Sequence, residues 1–430
     1  MEKKINNISQ IPITGLCTGC GICGGVCPVD VIDFHWDEDG DYVPIIDRDK
    51  CINCGLCARV CPGREVDFPA FKIGLSFARG IKLVRARDEK LLNFSTSGGG
   101  VRTIAAYLVE KRIVDGAIMI TNNHKKISFP FYASSTILFD SQKIKYHKIH
   151  SRYCPAPLGK IFQKIDKTKK YVLVGLPCHI HALRKLQTID RKWQKIVPYA
   201  MGLLCGGTPT MKGHEYLFRT NKINPDEVRQ IDYREGKFPG ATVVYLKNGQ
   251  KIKIGARGFS PSTLHQTLVN EVFMGNFFLR RRCWSCFDYF NSLSDLTFGD
   301  PLLERFKTDN QRASLVIIGS KKGEMLFKEI KRSALLEEID KIDLRETKKI
   351  INYQYRKAHS FSGIAAYGHI IGLESPVYSG VSLPHFSSSK GLVDCLSIWA
   401  GRHRSLWWSF KYIQFLRICW RILKRKLWKD

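Results

Sequence analysis

Eight of the chain's fifteen cysteines lie between residues 17 and 61, in two runs of identical spacing. "CTGCGICGGVCP" begins at Cys17 and "CINCGLCARVCP" at Cys51, and each reads C-x2-C-x2-C-x3-C-P. Thiolates at these intervals are ligands for iron–sulfur chemistry. Three close over one face of a [4Fe–4S] cube, and the fourth reaches the neighbouring cluster. The spacing assigns Cys17, Cys20, Cys23 and Cys61 to one cluster and Cys27, Cys51, Cys54 and Cys57 to a second. Pro28 and Pro62 turn the chain after each last ligand, while Gly21 and Gly55 leave the backbone free to bend until amides point at sulfur. Zinc sites take four ligands in two pairs, not two interlocked quartets.

Four more cysteines sit in short segments rich in Gly, Pro or aromatic residues: "VGLPCHIHALR" (Cys178), "GLLCGGTPT" (Cys205) and "RRCWSCFDYF" (Cys283 and Cys286). Two single cysteines plus one C-x2-C fit a third four-thiolate cluster, a zinc site, or four unliganded loop cysteines. Cys154, Cys395 and Cys419 have no partners in spacing and read as unliganded. In "NFSTSGGGVRTIAAYLV", Thr96 and Ser97 are placed to cap a following helix, and Gly98 to Gly100 let a ligand approach the backbone. A simple helix start fits this stretch equally, and it lacks the G-x-G-x-x-G spacing of a dinucleotide fold. His179 and His181 flank Cys178; packing is their expected role, with proton donation or flavin or substrate binding the alternatives. "DLTFGD" ends in a Gly-Asp that reads as a turn, placing Asp295 and Asp300 near the last cysteine pair.

The elements that must position these groups fall into two compositions. The chain has 430 residues and a net charge of +29, yet residues 1–70 hold 6 Lys/Arg against 11 Asp/Glu. An acidic, cysteine-rich module fused to a basic body marks a domain boundary. The N-terminal stretch has no apolar core or cleavage site of a secretory signal, and no apolar run reaches the roughly 18–20 residues of a spanning helix. A reducing cytoplasm is the expected location, where clustered cysteines serve as ligands rather than disulfides. Between the two cysteine runs, "HWDEDGDYVPII" reads as a hairpin turning at Asp39-Gly40. From residue 71 strand and helix signals alternate. "FKIGLSFAR", "GAIMIT", "KYVLVGL" and "ASLVIIG" read as strands, "VRTIAAYLVEKRI" as an amphipathic helix, and "ATVVYLKNGQKIKIG" as a hairpin turning at Asn248-Gly249. A helix is expected from Cys178 and a charged one after the last strand. The body is therefore α/β (α+β), with at least part of its sheet parallel.

Five segments follow. Residues 1–70 form a two-cluster ferredoxin-type domain, 71–150 the first part of the body and 151–330 its cysteine-containing part; 331–391 is a helical or linker extension and 392–430 a basic tail. The tail holds five of eight tryptophans. Leu406, Phe410, Ile413, Leu416, Trp420, Leu423 and Leu427 make one helix face, and Lys411, Arg417, Arg421, Lys424, Arg425 and Lys426 fill the rest. Such a helix suits an anionic membrane surface on the inner face, or docks on the protein or a partner. No nucleic-acid motif accompanies the charge, so nucleic acid is not an expected partner.

Taken in order, the double ferredoxin run, "TSGGG", "GLPCHIHALR", "GLLCGGTP" and "CWSCFD…DLTFGD" resemble the coenzyme F(420) (deazaflavin) hydrogenase/dehydrogenase beta subunit family over residues 17 to about 330. The resemblance implies FAD in the α/β body, with Thr96, Ser97, Gly98 and Gly99 against the flavin. It also implies a third [4Fe–4S] cluster on Cys178, Cys205, Cys283 and Cys286. A flavin trades a hydride with one partner and single electrons with clusters. The implied function is an iron–sulfur flavoprotein oxidoreductase passing electrons between a ferredoxin-type carrier and an organic substrate at FAD. The alternatives are an electron-transfer subunit of a partner oxidoreductase, or a structural iron–sulfur protein in membrane-associated polysaccharide synthesis. Three features depart from the family pattern: His179 stands where Gln is common, Cys154 where an apolar residue is usual, and the basic tail has no counterpart in the hydrogenase subunits. Members also occur in bacterial polysaccharide gene clusters, a setting the tail fits.

Overall fold

The computed structural model describes residues 7–72, 74–122, 133–147, 151–236, 240–256, 272, 277–301, 303, 305–308, 312–382, 395–396, 399–400 and 403–408. Its centre is an eight-stranded mixed sheet. In chain order the strands of the molecule are β1 (Ile32–Trp36), β2 (Tyr42–Ile46), β3 (Glu65–Lys72), β4 (Gly80–Ala86), β5 (Gly116–Asn122), β6 (Ala133–Leu138), β7 (Tyr171–Gly175) and β8 (Tyr199–Leu203). They continue with β9 (Val228–Glu235), β10 (Ala241–Leu246), β11 (Lys251–Ala256), β12 (Leu296–Gly299), β13 (Ser314–Ile318), β14 (Leu336–Asp340) and β15 (Val377–Ser382). The central sheet has the order β14-β4-β13-β12-β8-β7-β5-β6, in which β5, β7, β8 and β12 are parallel. β13 is antiparallel to both β12 and β4, so β4 runs with the parallel group.

Central strands buried on both faces read as unbroken apolar runs, and β7 and β13 are buried at every residue. Alternate side chains then divide between two layers. Val172, Val174 and Val316 meet the helices Gly100–Glu110 and Lys321–Arg332. Tyr171 and Leu173 meet Ile180 and Leu183 of the helix Pro177–Ile189. The hairpin of β10 and β11 forms with Gly249 at φ +89°, and with β9 it makes a separate three-stranded sheet. The β1–β2 hairpin also forms, Gly40 holding φ +72° at its turn.

Three local expectations are corrected. "FKIGLSFAR" is not one strand: β3 starts earlier, at Glu65, and ends at Lys72. Gly74 then adopts φ +112°, the Ser76 hydroxyl donates to Lys72 O and Ala78 N to Leu75 O, so the chain turns before β4. Among the described residues β3 pairs with β15 alone, and this edge position accommodates Pro69, which has no amide to donate. Thr96 and Ser97 do not cap the following helix. Its N-cap is Gly99 at φ +77°, while the Ser97 hydroxyl donates to Ala313 O at 2.6 Å. The Gly-Asp of "DLTFGD" is not a turn: Gly299 ends the strand β12, which has Asp295 and Asp300 at its two ends.

The tail enters the described residues only in part. Trp407 is buried and edge-on to Tyr216 and Phe278, whereas Trp399 and Trp408 are exposed. Residues 409–430, with most of the expected amphipathic face and Cys419, lie outside the described residues. Among the described residues, no helix is long and apolar enough to cross a membrane.

Candidate functional site

The two cysteine runs fold into matching loops. Gly19 and Asn53 hold φ +62° and +50°, and Gly21 and Gly55 hold +80° and +70°, before the short helices Ile22–Gly25 and Leu56–Arg59. The left-handed turn at Gly19 brings its amide onto sulfur. Gly19 N donates to Cys17 Sγ and Gly63 N to Cys61 Sγ, each at 3.4 Å. Amide donors of this kind stabilise the negative charge of a thiolate-bound cluster.

The charges that the thiols feel show which ones are neighbours. Burial pushes the Cys17 thiol up to about 12, with the Arg280 guanidinium opposing and Cys61 and Cys20 adding to the rise. Cys23 is raised by burial and then by Cys20, Cys17, Cys61 and Cys57. Cys57 is raised by burial, against the Ile8 and Ala58 amides, with Cys54 and Cys27 contributing. Cys27, Cys51, Cys54 and Cys57 line one cavity together with Pro28 and Ile52. Among the described residues, no three His, Cys, Asp or Glu side chains close on one point as a lone metal ion requires. Buried thiols do not ionise readily by themselves; a cationic iron core would make four thiolates tolerable there.

The carboxyl edge of the sheet carries the second group. Open α/β sheets bind ligands at the carboxyl ends of their strands. Cys178 follows β7 through Gly175, Leu176 and Pro177, with Pro177 at the first helical position. Cys205 stands two residues beyond the neighbouring strand β8. Cys283 and Cys286 lie on and just after the short helix Arg281–Trp284, where Cys283 Sγ accepts from Thr208 N at 3.4 Å. Burial raises Cys178 well above its ordinary value, and Cys20, Cys205, Cys283 and Cys286 add to that. The four expected residues are therefore neighbours, and Cys20 of the first run stands beside them.

Cations that the sequence reading passed over bind this group to the cysteine module. Arg280 Nε pairs with the buried Asp41 at 2.9 Å, and its Nη1 donates to Thr18 O at 2.6 Å. Arg282 donates to Gly63 O, Pro62 O and Ser285 O at 2.8, 3.2 and 3.0 Å. Lys357 Nζ donates to Cys205 O at 3.1 Å. The run "RRRCWSC" was the only visible hint of the arginines; nothing near Lys357 in sequence marks it.

At the same edge, the loop 95–99 closes on β4 and β13. Ala86 N donates to Gly98 O, and a Cβ on Gly98 would stand 2.4 Å from Ser314 N and 2.5 Å from Val84 O. Gly98 is thus glycine because β4 and β13 pack against it, Gly99 holds φ +77° with Leu91 close by, and Gly100 faces the Phe298 ring. Thr96 and Ser97 are half-buried. Buried Arg234 donates to Thr96 O at 3.1 Å and pairs with Asp300 at 3.0 Å, which places Asp300 beneath this loop. Asp295 sits at the opposite end of β12, accepting from Ala200 N, the Ser320 hydroxyl and Arg184.

The histidines beside Cys178 pack. His179 Nδ1 accepts from Leu176 N at 3.2 Å, and burial lowers the ring to about 4. His181 Nε2 bonds Asp288 at 2.7 Å, with both residues buried. Cys154 lies in a different apolar cluster with Ala133 and Tyr233, and Cys395 is buried beside Leu279, Trp284 and Ile364.

Family models match three segments of the chain. Residues 82–163 match the N-terminal family model, and residues 168–343 the C-terminal one, of the "Coenzyme F420 hydrogenase/dehydrogenase, beta subunit". Residues 16–64 match a "4Fe-4S dicluster domain". The F420-dependent formate dehydrogenase subunit beta of Methanocaldococcus jannaschii is 26% identical over 224 residues, 51% of this chain and 52% of that protein. The coenzyme F420-dependent sulfite reductase of the same organism is 24% identical over 392 residues, covering 86% of this chain and 55% of that protein. This chain's match thus spans about half the length of either relative. Among solved structures, a chain of the F420-reducing [NiFe] hydrogenase complex from Methanosarcina barkeri aligns at 18% identity with a TM-score of 0.49, over 72% of this chain and 99% of that one. By these family matches the chain carries 4Fe–4S clusters and belongs to the coenzyme F420 hydrogenase/dehydrogenase beta subunit family.

Proposed function

We propose that the chain is an iron–sulfur flavoprotein subunit that moves electrons between a ferredoxin-type carrier or partner oxidoreductase subunit and an organic substrate at FAD. When bound, 4Fe–4S clusters exchange single electrons and a flavin exchanges one or two. The observation that carries the reading is the contiguity of three cysteine sets. Exposed Cys54 belongs with Cys27, Cys51 and Cys57; Cys57 neighbours Cys23 of the set Cys17, Cys20, Cys23 and Cys61. Cys20 in turn neighbours Cys178, which stands with Cys205, Cys283 and Cys286. The chain's part is to hold these sets in a row, with one end at the surface and the other shielded.

Thr96 to Gly99 are the residues proposed to lie along FAD. Close to them, Tyr153 joins Arg234, and the adjacent Arg152 has Nε and Nη2 buried without a hydrogen-bond partner. Unmatched buried guanidinium nitrogens fit an anionic group such as a diphosphate. The names of the relatives make a deazaflavin the first organic substrate to test. The exposed Trp399 and Trp408 open the basic segment 392–430 proposed to meet an anionic membrane surface.

Anaerobically purified protein is expected to carry about 12 iron and 12 acid-labile sulfide atoms per chain, and to release FAD on denaturation. Cys205→Ser and Cys286→Ser should each lower the iron to about 8. Wild-type protein with only about 8 iron atoms would remove the third cluster, absence of released flavin would remove FAD, and zinc without sulfide would overturn the whole reading.

A further inference from the structure

The helix Leu344–Tyr367 starts where the matched family segment ends, at residue 343. Its position over the third cysteine set is fixed at several points. Asp343 accepts from Glu346 N at 2.6 Å, and the Glu346 carboxylate accepts from Asp343 N at 3.4 Å, a reciprocal cap. Arg305 grips the same Glu346 carboxylate through Nε at 2.8 Å and Nη2 at 3.0 Å. One turn apart, Ile350, Gln354 and Ala358 are buried, and Gln354 Oε1 accepts from Gly74 N at 2.7 Å. Tyr353 stacks on Tyr289 with ring centroids 5.6 Å apart. One turn beyond Tyr353, this face delivers Lys357, whose ammonium donates to the Cys205 carbonyl at 3.1 Å.

That ammonium stands against Cys205, one of the four cysteines of the third set. Asp288 is already held by His181 and by the Ser292 amide and hydroxyl. A cation fixed inside a protein favours whichever state of its neighbour carries more negative charge, and the attraction is stronger there than in water. For a thiolate-bound cluster that state is the reduced one.

We propose that Lys357 is a positioning residue for charge, raising the reduction potential of the cluster held by Cys178, Cys205, Cys283 and Cys286 above the value those ligands would set alone. The inference rests on the third-cluster reading above. The neighbouring cations differ in kind: Arg280 and Arg282 are committed to Asp41 and to backbone carbonyls of the first module, whereas Lys357 comes from a helix outside the matched family segment.

The test is a redox titration of anaerobic full-length protein, followed by electron paramagnetic resonance, on wild type and on Lys357→Arg, Lys357→Gln, Lys357→Met and Lys348→Gln. Gln keeps a donor for Cys205 O without the charge, Met removes both, and exposed Lys348 on the same helix is the control. The Gln and Met variants should each lower the one-electron reduction equilibrium of the third cluster about tenfold, a shift of about 59 mV. Arg and the Lys348 control should stay near wild type. An unchanged potential in Lys357→Gln at full iron content would overturn the charge role, even if Met shifts it, because the hydrogen bond would then suffice. Loss of the cluster from both neutral variants would also overturn it, since the lysine would then serve loading rather than potential. Wild-type protein with only about 8 iron atoms would overturn both this inference and the third cluster.

Discussion

His214 shows how burial turns one side chain into a pH sensor of stability. Its Nε2 bonds the Tyr233 hydroxyl at 2.8 Å, and burial lowers its pKa from 6.5 to about 4. Between those values the unfolded chain binds a proton that the folded chain refuses, so stability falls as pH drops from about 6.5 to about 4. The limiting slope is about 1.4 kcal/mol per pH unit for each such histidine. Urea unfolding midpoints measured from pH 7 to pH 4.5 should decline less steeply in His214→Phe than in wild type; parallel curves would count against a neutral His214. The same scale explains the buried arginines. Burial opposes the charge of Arg280, and the Asp41 carboxylate, with the Cys17 and Cys283 thiolates, holds it in place. Cys283 was visible in the sequence as a candidate ligand, but the countercharges that make a buried thiolate set tolerable come from other parts of the chain.

Among the elements, the duplicated cysteine loop was the most legible, because its geometry is local. Each copy needs left-handed residues between its thiols, and Gly or Asn supplies them at 19, 21, 53 and 55. Gly21 has a second constraint that periodicity cannot reveal: a Cβ there would stand 2.8 Å from Gly159 N and 2.8 Å from Pro157 Cβ. Gly21→Ala therefore combines a left-handed backbone with a clash against the body, and a stability loss of about 1–3 kcal/mol is expected. Its anaerobic iron content and urea midpoint should both drop, and a variant indistinguishable from wild type in both would refute the packing argument. Strand existence was legible for β5, β7 and β13 because they are continuous apolar runs. The limits of β3 were not, since its partner β15 lies more than three hundred residues away in the chain. Capping by Thr96 and Ser97 failed for a related reason: Ala313, remote in sequence, offers Ser97 a carbonyl acceptor.

At the scale of the molecule, the acidic module and the basic body are complementary surfaces of one interface. Asp41 meets Arg280 at a buried contact, and Asp39 meets Arg281 at 2.7 Å and Lys212 at 3.5 Å near the rim. Rim pairs are screened by salt and contribute little, whereas removing one partner of a buried pair costs about 3–5 kcal/mol. In 1 M NaCl, wild-type protein should still lose tryptophan fluorescence and cluster absorbance in one coincident unfolding transition. Asp41→Ala should shift that transition downward, or split it, at low and high salt alike. A variant that responds only at low salt would mean that the rim charges, not the buried pair, hold the module.

The sequence by itself determined what depends on neighbours along the chain: two four-cysteine runs, their left-handed glycines, the apolar strands and the split in charge. It also supplied the ordered motifs that mark the family. Only the tertiary structure decided that Cys205, Cys283 and Cys286 lie close enough to Cys178 to act on its thiol, as Cys20 does, and that Lys357 crosses 152 positions to reach Cys205. The physical reason is range. Spacing encodes contacts that one turn or one loop can close, whereas a buried polar cluster is assembled from strand ends and helices that only the packed sheet brings together.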